Sequence, residues 1–128
     1  MSLKKVNSND VLRLPAFSHA IVAGDFIYVS GTLGTEGKEM QLAAGGTAGQ
    51  TRQTLLNIKT ILNEAGAGLE DVVKMNVFLK DETTFADMNK VYVEIMGEDG
   101  PARITVSNAK LGLDAEVEID CIAYKPGT

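Results

Sequence analysis

Apolar residues recur at every second position in some segments of this chain and at every third or fourth position in others. This change of period along the chain constrains the fold more than any other feature. Residues 20–23 and 26–30 flank the turn pair Gly24-Asp25 and predict a hairpin. Residues 48–65 and 85–95 repeat apolar side chains at steps of three and four, which predicts two helices. Strand-like alternation returns in three further segments: residues 72–80, 102–108 and 115–124. The predicted element order is β-β-α-β-α-β-β.

This order predicts one α+β domain over residues 1–128. Both helices are expected to pack on one face of a single sheet, because interleaved helices and strands in a short chain form layers. A chain of 128 residues buries enough surface to hold such a core without a disulfide or a metal. Nothing in the sequence resembles a linker or an internal repeat. The opposite face of the sheet is then left uncovered by the helices, and we call it the open face.

Strand parity predicts which side chains lie on each face, since alternate residues of a strand point to opposite sides. The rows expected under the helices are apolar: Val73, Met75, Val77 and Leu79; Val117, Ile119, Cys121 and Ala123; and Ile104 with Val106. The polar residues expected on the open face are Arg103, Thr105, Ser107, Glu116, Glu118 and Asp120.

Large apolar side chains are also predicted on the open face: Phe26, Tyr28, Phe78, Ile122 and Tyr124. One interpretation is an antiparallel sheet with one solvated face. Contiguous exposed apolar surface, however, often marks an interface. The alternative is therefore an oligomer that buries these side chains and leaves charged positions at the rim as sites between subunits.

The single cysteine and the single histidine exclude two kinds of scaffold. Cys121 has no partner for a disulfide within the chain, and Cys121 with His19 cannot complete a Cys/His zinc site. The carboxylates lack histidine support, so no metal site is predicted. Cys121 is expected to be a small hydrophobe of its strand. His19 is expected to be a surface or turn residue, although a pair with Ser18 or Ser30 stays open.

Charge and hydropathy argue against two further kinds of partner, nucleic acids and membranes. The net charge is −5 and the longest basic run is Lys4-Lys5, which disfavours nucleic acid because its binders need a basic stripe for the phosphates. No apolar run approaches the ~20 residues of a membrane span. Residues 1–10 lack the apolar segment of a signal peptide. The cytoplasm is the expected compartment, with no membrane partner.

The remaining chemistry lies in Arg103 and Glu118, which parity places on strands expected to be neighbours. An arginine holds a planar carboxylate through its fork of donors. A nearby glutamate orients a water molecule or carries a proton. The pair therefore suits a small substrate that bears a carboxylate, with Ser and Thr hydroxyls beside it.

Several motifs resemble the Rid/YjgF family, long labelled endoribonuclease L-PSP. The resemblance runs from about residue 17 to residue 124, with the motifs in matching order and spacing. The matching segments are Val29-Ser30-Gly31, residues 50–58, residues 73–81, Pro101-Ala102-Arg103 and Val117-Glu118-Ile119-Asp120.

The resemblance implies a chorismate-mutase-like fold assembled as a homotrimer, with the sheets facing inward and three clefts between subunits. It implies hydrolysis of 2-imino or enamine acids to 2-oxo acids and ammonia, with no metal or organic cofactor. Arg103 falls on the family arginine that grips the substrate carboxylate, and Glu118 on the carboxylate near the attacking water. Ser30 and Gly31 match the loop that lines the cleft.

Two positions depart from the family pattern. Phe17 stands where the deaminases have a tyrosine on the cleft wall, and Thr105 stands where they have a cysteine whose backbone carbonyl helps to hold the water. Both changes bear on the range of substrates. We expect Phe17 and Phe78 to supply apolar contacts to the substrate, and Thr105 to act beside Arg103 and Glu118.

Two other functions stay open on the sequence. One is a non-catalytic trimeric protein that binds small 2-oxo or amino-acid-like carboxylates through the same arginine. The other is the ribonuclease activity of the old family label, which the acidic composition and the lack of a histidine pair disfavour.

Overall fold

The computed structural model describes residues 3–127 and contains one six-stranded sheet with two long helices. The strands are β1 (Leu3–Val6), β2 (Ala20–Ala23), β3 (Phe26–Thr32), β4 (Val72–Leu79), β5 (Ala102–Val106) and β6 (Val117–Tyr124). The helices are α1 (Gly46–Glu64) and α2 (Phe85–Met96). Three short 3₁₀ turns occupy Leu69–Asp71, Glu82–Thr84 and Gly112–Asp114.

The strand order across the sheet is β1-β2-β3-β6-β4-β5. Every pairing is antiparallel except that of β4 with β5, which is parallel. A parallel pair needs a long crossover, and α2 supplies it. Strand β6 therefore lies in the interior of the sheet, β5 lies at an edge, and β4 separates them.

The predicted α+β architecture and element order are confirmed, with one strand added at the start. Strand β1 is missing from the sequence prediction because its four residues, Leu-Lys-Lys-Val, show no alternation. Three of the four are exposed, and only Val6 reaches the core. A short, lysine-bearing strand is typical of a sheet edge, where charge discourages further pairing.

The core lies between the sheet and the helices. Helix α1 packs against β3 and β6, and α2 packs beside α1. The aliphatic row predicted for β6 is buried in full, from Val117 to Ala123. This row packs against the apolar stripe of α1 that the spacing predicted. Leu55, Ile58 and Leu62 of that stripe are fully buried.

Gly66 ends α1 as the sequence predicts. Its φ of +89° lies in the left-handed region, which costs glycine little. The N–H of Gly66 donates to the carbonyl of Asn63, and that of Ala67 donates to the carbonyl of Leu62. This pair of bonds is the Schellman arrangement, and it turns the chain back toward β4.

Two parity predictions were wrong. In β4, Val72 is buried and Val73 is 44% exposed, because the pairing with β6 shifts between Val72 and Lys74. In β5, the expected core residues Ile104 and Val106 are exposed at 51% and 42%. Strand β5 takes its register from β4 rather than from β6, so the expected inward and outward rows of β5 are exchanged.

The open face carries a broad apolar surface. Tyr28 pairs with Ile122, and Phe26 pairs with Tyr124, whose ring centroid lies 5.1 Å from that of Phe26. The large side chains exposed by 40% or more on this face include Phe26, Tyr28, Ile104, Val106 and Tyr124. Within residues 3–127, no helix is long and apolar enough to cross a membrane.

Candidate functional site

A β-bulge in β3 shapes the site. Val29 pairs with Cys121 and Thr32 pairs with Ile119, so Ser30 and Gly31 together oppose the single residue Asp120. A bulge bends its strand and re-aims the side chains around it. The Ser30 hydroxyl donates to the carbonyl of Ser18 at 2.6 Å, which ties the bulge to the loop that precedes β2.

Glu118 lies beside this bulge on β6. It is half-buried, and Gly31 leaves room for its carboxyl group: a β carbon on residue 31 would sit 3.3 Å from Cδ of Glu118 and collide with its Oε2. Burial raises the pKa of Glu118, and the negative charge of Asp120 raises it further. Such a group suits proton transfer, because a catalytic carboxyl works best when its pKa moves toward neutrality.

The Glu118 carboxylate also has no hydrogen-bond partner anywhere in residues 3–127. A half-buried carboxylate normally accepts hydrogen bonds, since its desolvation is otherwise uncompensated. The exception at Glu118 marks an acceptor left open for a water molecule or a ligand.

A cavity of about 240 Å³ opens next to Glu118. Three of the predicted site residues besides Glu118 line it: Phe17, Ser30 and Gly31. Phe17 lies in the loop before β2 and is 45% exposed at the cavity. The remaining lining residues include five aliphatic ones, and come from the β1–β2 connection, the end of β3 and the loop after it, helix α1 and the 3₁₀ turn at Gly112.

His19 is buried rather than exposed, so the expectation of a surface residue was wrong. The backbone N–H of Ser8 lies 3.0 Å from Nδ1, and the carbonyl of Leu12 lies 2.8 Å from Nε2. Nδ1 must therefore accept and Nε2 must donate, which fixes a neutral ring between two backbone groups. Because the Ser30 hydroxyl donates to Ser18, no Ser–His pair forms.

Cys121 is a buried residue of the β6 core, as parity predicts. Burial, with a smaller contribution from Asp120, raises the pKa of its thiol to about 12. A thiol with so high a pKa does not act as a nucleophile near neutral pH.

Arg103 lies on the helix side of the edge strand β5. Its Nη1 donates to Oδ1 of Asn89 at 2.8 Å, and its Cζ lies 4.6 Å from the ring centroid of Tyr92 and 5.7 Å from that of Phe85. No carboxylate within residues 3–127 pairs with the guanidinium. The group is thus held in place by α2 while its remaining donors are free for an anion.

Arg103 and Glu118 do not meet within one chain, and the expectation that they lie on neighbouring strands was wrong. Strand β4 separates β5 from β6. Arg103 pairs with the buried Met75, whereas Glu118 pairs with Phe78 on the open face, so the two side chains lie on opposite faces.

The other predicted site residues divide in the same way. Phe78 is half-buried beside Glu118 on the open face. Thr105 pairs with Val77 and shares the helix side with Arg103. One chain therefore brings together Phe17, Ser30, Gly31, Phe78 and Glu118, and keeps Arg103 and Thr105 apart from them.

Sequence reasoning missed the residues of α2 that position Arg103. Phe85 and Tyr92 belong to the stripe that predicted the helix, and no role in the site was assigned to them. Asn89 lies between them, four residues after Phe85. The signal was the i, i+4, i+7 spacing, which places all three on one side of α2.

No group of three or more His, Cys, Asp or Glu side chains within residues 3–127 is arranged to hold a metal ion. In the row of Glu116, Glu118 and Asp120, two of the three carboxylates instead have other side chains as partners. Glu116 accepts from Thr47 and lies near Lys80, and Asp120 accepts from Asn76 at 2.6 Å.

Comparisons with known proteins show the family and the fold of the chain. The family model described as Endoribonuclease L-PSP matches residues 9–125. A RutC family protein of Pyrococcus horikoshii is 46% identical over 109 residues, which cover 85% of this chain and 86% of that protein.

Solved structures are similar over almost the whole chain. RidA from the Antarctic bacterium Psychrobacter is 37% identical, with a TM-score of 0.88 over 94% of this chain and 98% of that one. Escherichia coli TdcF with bound serine is 28% identical, with a TM-score of 0.88 over 95% of this chain and 98% of that one.

Proposed function

Because this chain belongs to the endoribonuclease L-PSP family, also called Rid/YjgF, we propose that it hydrolyses reactive 2-imino or enamine acids to 2-oxo acids and ammonia. The observation that carries the proposal is Glu118: a half-buried carboxylate with a raised pKa and no internal hydrogen bond, at the edge of a cavity of metabolite size. Imines already react with water, so positioning and proton transfer are sufficient for catalysis.

The proposed reaction needs only water and the imine. Glu118 accepts a proton from water as the water oxygen bonds to C2 of the imino acid, and it passes this proton to the imine nitrogen, which takes the electron pair of the C=N π bond. The resulting tetrahedral intermediate carries a hydroxyl and an amino group on C2. Glu118 then carries the hydroxyl proton to the amino nitrogen, the C2–N bond breaks to release ammonia, the C2 carbonyl forms, and Glu118 is again a carboxylate. One water is consumed, and no oxidant or reductant is required.

The substrate carboxylate requires a cation, and Arg103 is the group we assign to it. Since Arg103 and Glu118 lie on opposite faces of one chain, the proposed site combines Arg103 of one subunit with Glu118 of another. We propose a homotrimer whose open faces point inward. The apolar surface of the open face supports this proposal. Without a partner subunit, the exposed side chains of Ile104 and Val106 on the edge strand β5 would face water.

Thr105 retains a proposed part in this site through its position. It lies two residues after Arg103 on the same edge strand. In the proposed trimer, its backbone carbonyl would therefore lie at the same subunit interface as the Arg103 guanidinium. We propose that this carbonyl helps to hold the water. The cytoplasm stays a prediction for the compartment.

A coupled assay tests the proposal. An amino-acid oxidase generates imines in the presence of the protein, and the rate of 2-oxo acid formation is compared with solution hydrolysis. The wild-type protein is expected to accelerate the reaction, and Arg103→Ala is expected to reduce kcat/KM on the order of 100-fold, because the carboxylate loses its anchor. Equal rates with the two proteins, or with no protein, would refute the deaminase assignment.

The second candidate is a binding protein for small carboxylates. It is favoured by E. coli TdcF, a similar protein whose structure was solved with bound serine. A rise in melting temperature with 2-oxo acids, without imine turnover, would support this candidate. Turnover above the solution rate would decide for the enzyme.

A further inference from the structure

Residues 97–101 join α2 to β5, and this α2–β5 connection contains an Asp-Gly pair, Asp99-Gly100. We propose that the pair is a modification site, at which Asp99 converts spontaneously to isoaspartate and displaces the edge strand that carries Arg103. The modification itself is independent of the proposed function. Only its effect on catalysis rests on that function.

The sequence singles out Asp99 among the aspartates. Isoaspartate forms when the backbone nitrogen of the next residue attacks the aspartyl side chain, so a side chain on that next residue hinders the attack. The chain has eight aspartates, and only Asp99 precedes a glycine; the other seven precede Val, Phe, Glu, Met, Ala or Cys. The chain contains no Asn-Gly pair, which would follow the same route. Asp99 is therefore the position at which this reaction is least hindered.

The two reacting groups have no competing interactions within the fold. In the part of the chain that the structure describes, residues 3–127, the Asp99 carboxylate has no ion pair or hydrogen bond, and the Gly100 N–H donates no hydrogen bond. Both residues are exposed. An amide nitrogen that donates inside the fold must lose that bond before it reacts, at a cost in free energy. Gly100 has no such bond to lose.

The α2–β5 connection also has room for the five-membered ring that the reaction forms. A β carbon on residue 100 would lie 3.7 Å from its nearest neighbour, the carbonyl oxygen of Gly97, and a cavity of about 400 Å³ lies beside Asp99, Gly100 and Pro101. The φ of Asp99 is +54°, in the left-handed region that non-glycine residues adopt at a cost. The native backbone at Asp99 is thus not a conformation that the residue prefers.

The conversion needs no reactant except water. The Gly100 nitrogen bonds to Cγ of the protonated Asp99 carboxyl group, and the hydroxyl of that group leaves with the amide proton as water. Water then adds to the main-chain carbonyl carbon of Asp99, whose bond to the Gly100 nitrogen breaks as that nitrogen regains a proton. The main chain now runs through the β and γ carbons of residue 99, and the former main-chain carbonyl is a free carboxylate.

This change lengthens the segment that relates α2 to β5. Strand β5 carries Arg103, whereas α2 supplies its contacts through Asn89 and Tyr92. One added C–C bond of about 1.5 Å in a five-residue connection is large beside the 2.8 Å hydrogen bond between Arg103 and Asn89. We expect the guanidinium to be displaced, and kcat/KM of a modified site to fall by up to about 100-fold, since a misplacement of about 1 Å has an effect of that size.

The experiment follows the folded wild-type protein during incubation at physiological temperature and pH. An isoaspartyl methyltransferase transfers a labelled methyl group from S-adenosylmethionine to the new carboxylate, which measures isoaspartate. Trypsin cleaves after Lys90 and Arg103, and the peptide of residues 91–103 contains Asp99 as its only aspartate. We expect the label to accumulate in this peptide, and the peptides that contain the other aspartates to stay unlabelled.

Two variants identify the reacting residue. Asp99→Glu keeps the charge and is expected to stop the accumulation, because its longer side chain would have to close a six-membered ring, which forms much more slowly. Asp25→Glu, at the exposed turn between β2 and β3, is the matched control and should accumulate label as the wild type does. Label in residues 91–103 only after the chain is unfolded in urea, or equal label in Asp99→Glu, would overturn the modification site.

The effect on catalysis is measured on the same samples with the coupled imine assay. Activity of the wild type should fall as isoaspartate accumulates, whereas Asp99→Glu should keep its initial activity through the same incubation. If fresh protein hydrolyses no imine, only the deaminase assignment fails, and the labelled peptide still decides whether Asp99 is modified. Unchanged activity in a sample with abundant isoaspartate at residue 99 would overturn the displacement of Arg103.

Discussion

Gly31 and Glu118 pack so closely across the bulge between β3 and β6 that a β carbon on residue 31 would overlap the Glu118 carboxylate. The absence of a side chain at residue 31 therefore defines where the carboxylate lies. It also lets the backbone of the bulge form one side of the cavity.

Gly31→Ala is expected to displace the Glu118 carboxylate and to reduce kcat on the order of 100-fold, since misplacing a reacting group by about 1 Å has an effect of that size. The coupled imine assay measures the loss. Gly100→Ala is the matched control, because the nearest atom to its new β carbon would be 3.7 Å away. Retention of full activity by Gly31→Ala would contradict the assigned position of the carboxylate.

Glu118→Gln is expected to abolish proton transfer and, at the same time, to raise the melting temperature at pH 7. The folded state raises the pKa of Glu118 above its ordinary value of 4.5. As pH rises through this window, the unfolded chain loses the proton before the folded chain does, so the glutamate lowers the stability at neutral pH.

The stability gain of Glu118→Gln should therefore shrink as pH falls through the raised pKa toward 4.5, and it should be lost below 4.5, where both states hold the proton. Thermal unfolding between pH 4 and pH 8 measures it. Glu98→Gln, at an exposed position that has no ion pair or hydrogen bond within residues 3–127, controls for the loss of one negative charge. A gain that grows toward low pH would show that burial does not raise the pKa of Glu118.

Ile104→Glu is expected to break the assembly, because it places a charge in the apolar surface of the open face at a residue that is 51% exposed in the single chain. Analytical ultracentrifugation should show a trimer for the wild-type protein and smaller species for the variant. Leu56→Glu alters an exposed leucine on the helix side and should remain trimeric. A wild-type monomer would remove the basis for a site between subunits.

Much of the fold was predictable from the sequence because local period and turn residues determine it. The hairpin at Gly24-Asp25, helix α1 with its stop at Gly66, and the buried row of β6 all follow from such patterns. Strand β1 was not predictable, because Lys4 and Lys5 hide any alternation in a four-residue strand.

The faces of β5 depend on pairing that lies far away in sequence. Parity shows which residues of one strand share a face, but not which face of the sheet that is. Only the register with β4 shows that Arg103 lies with Met75 on the helix side. The same limit applies to Val73, whose exposure arises from a register shift against β6.

For the site, the family motifs point to one cleft for Glu118, Ser30 and Gly31, and the three residues line one cavity of the chain. They did not reveal that Asn89 and Tyr92 hold Arg103, because helical spacing places these two residues on one side of α2 without showing which strand that side contacts. Nor did they show that His19 joins two backbone segments, since its partners Ser8 and Leu12 become close only in the folded chain.

The most direct test of a site shared between subunits mixes two inactive variants, Arg103→Ala and Glu118→Gln, by co-expression or joint refolding. Each chain then supplies the group that the other lacks. In a closed ring, random mixing in equal amounts should restore about one quarter of the wild-type imine hydrolysis, because a site works only where the first variant supplies the glutamate and the second the arginine. Activity no greater than that of the two variants measured separately would contradict a site shared between subunits.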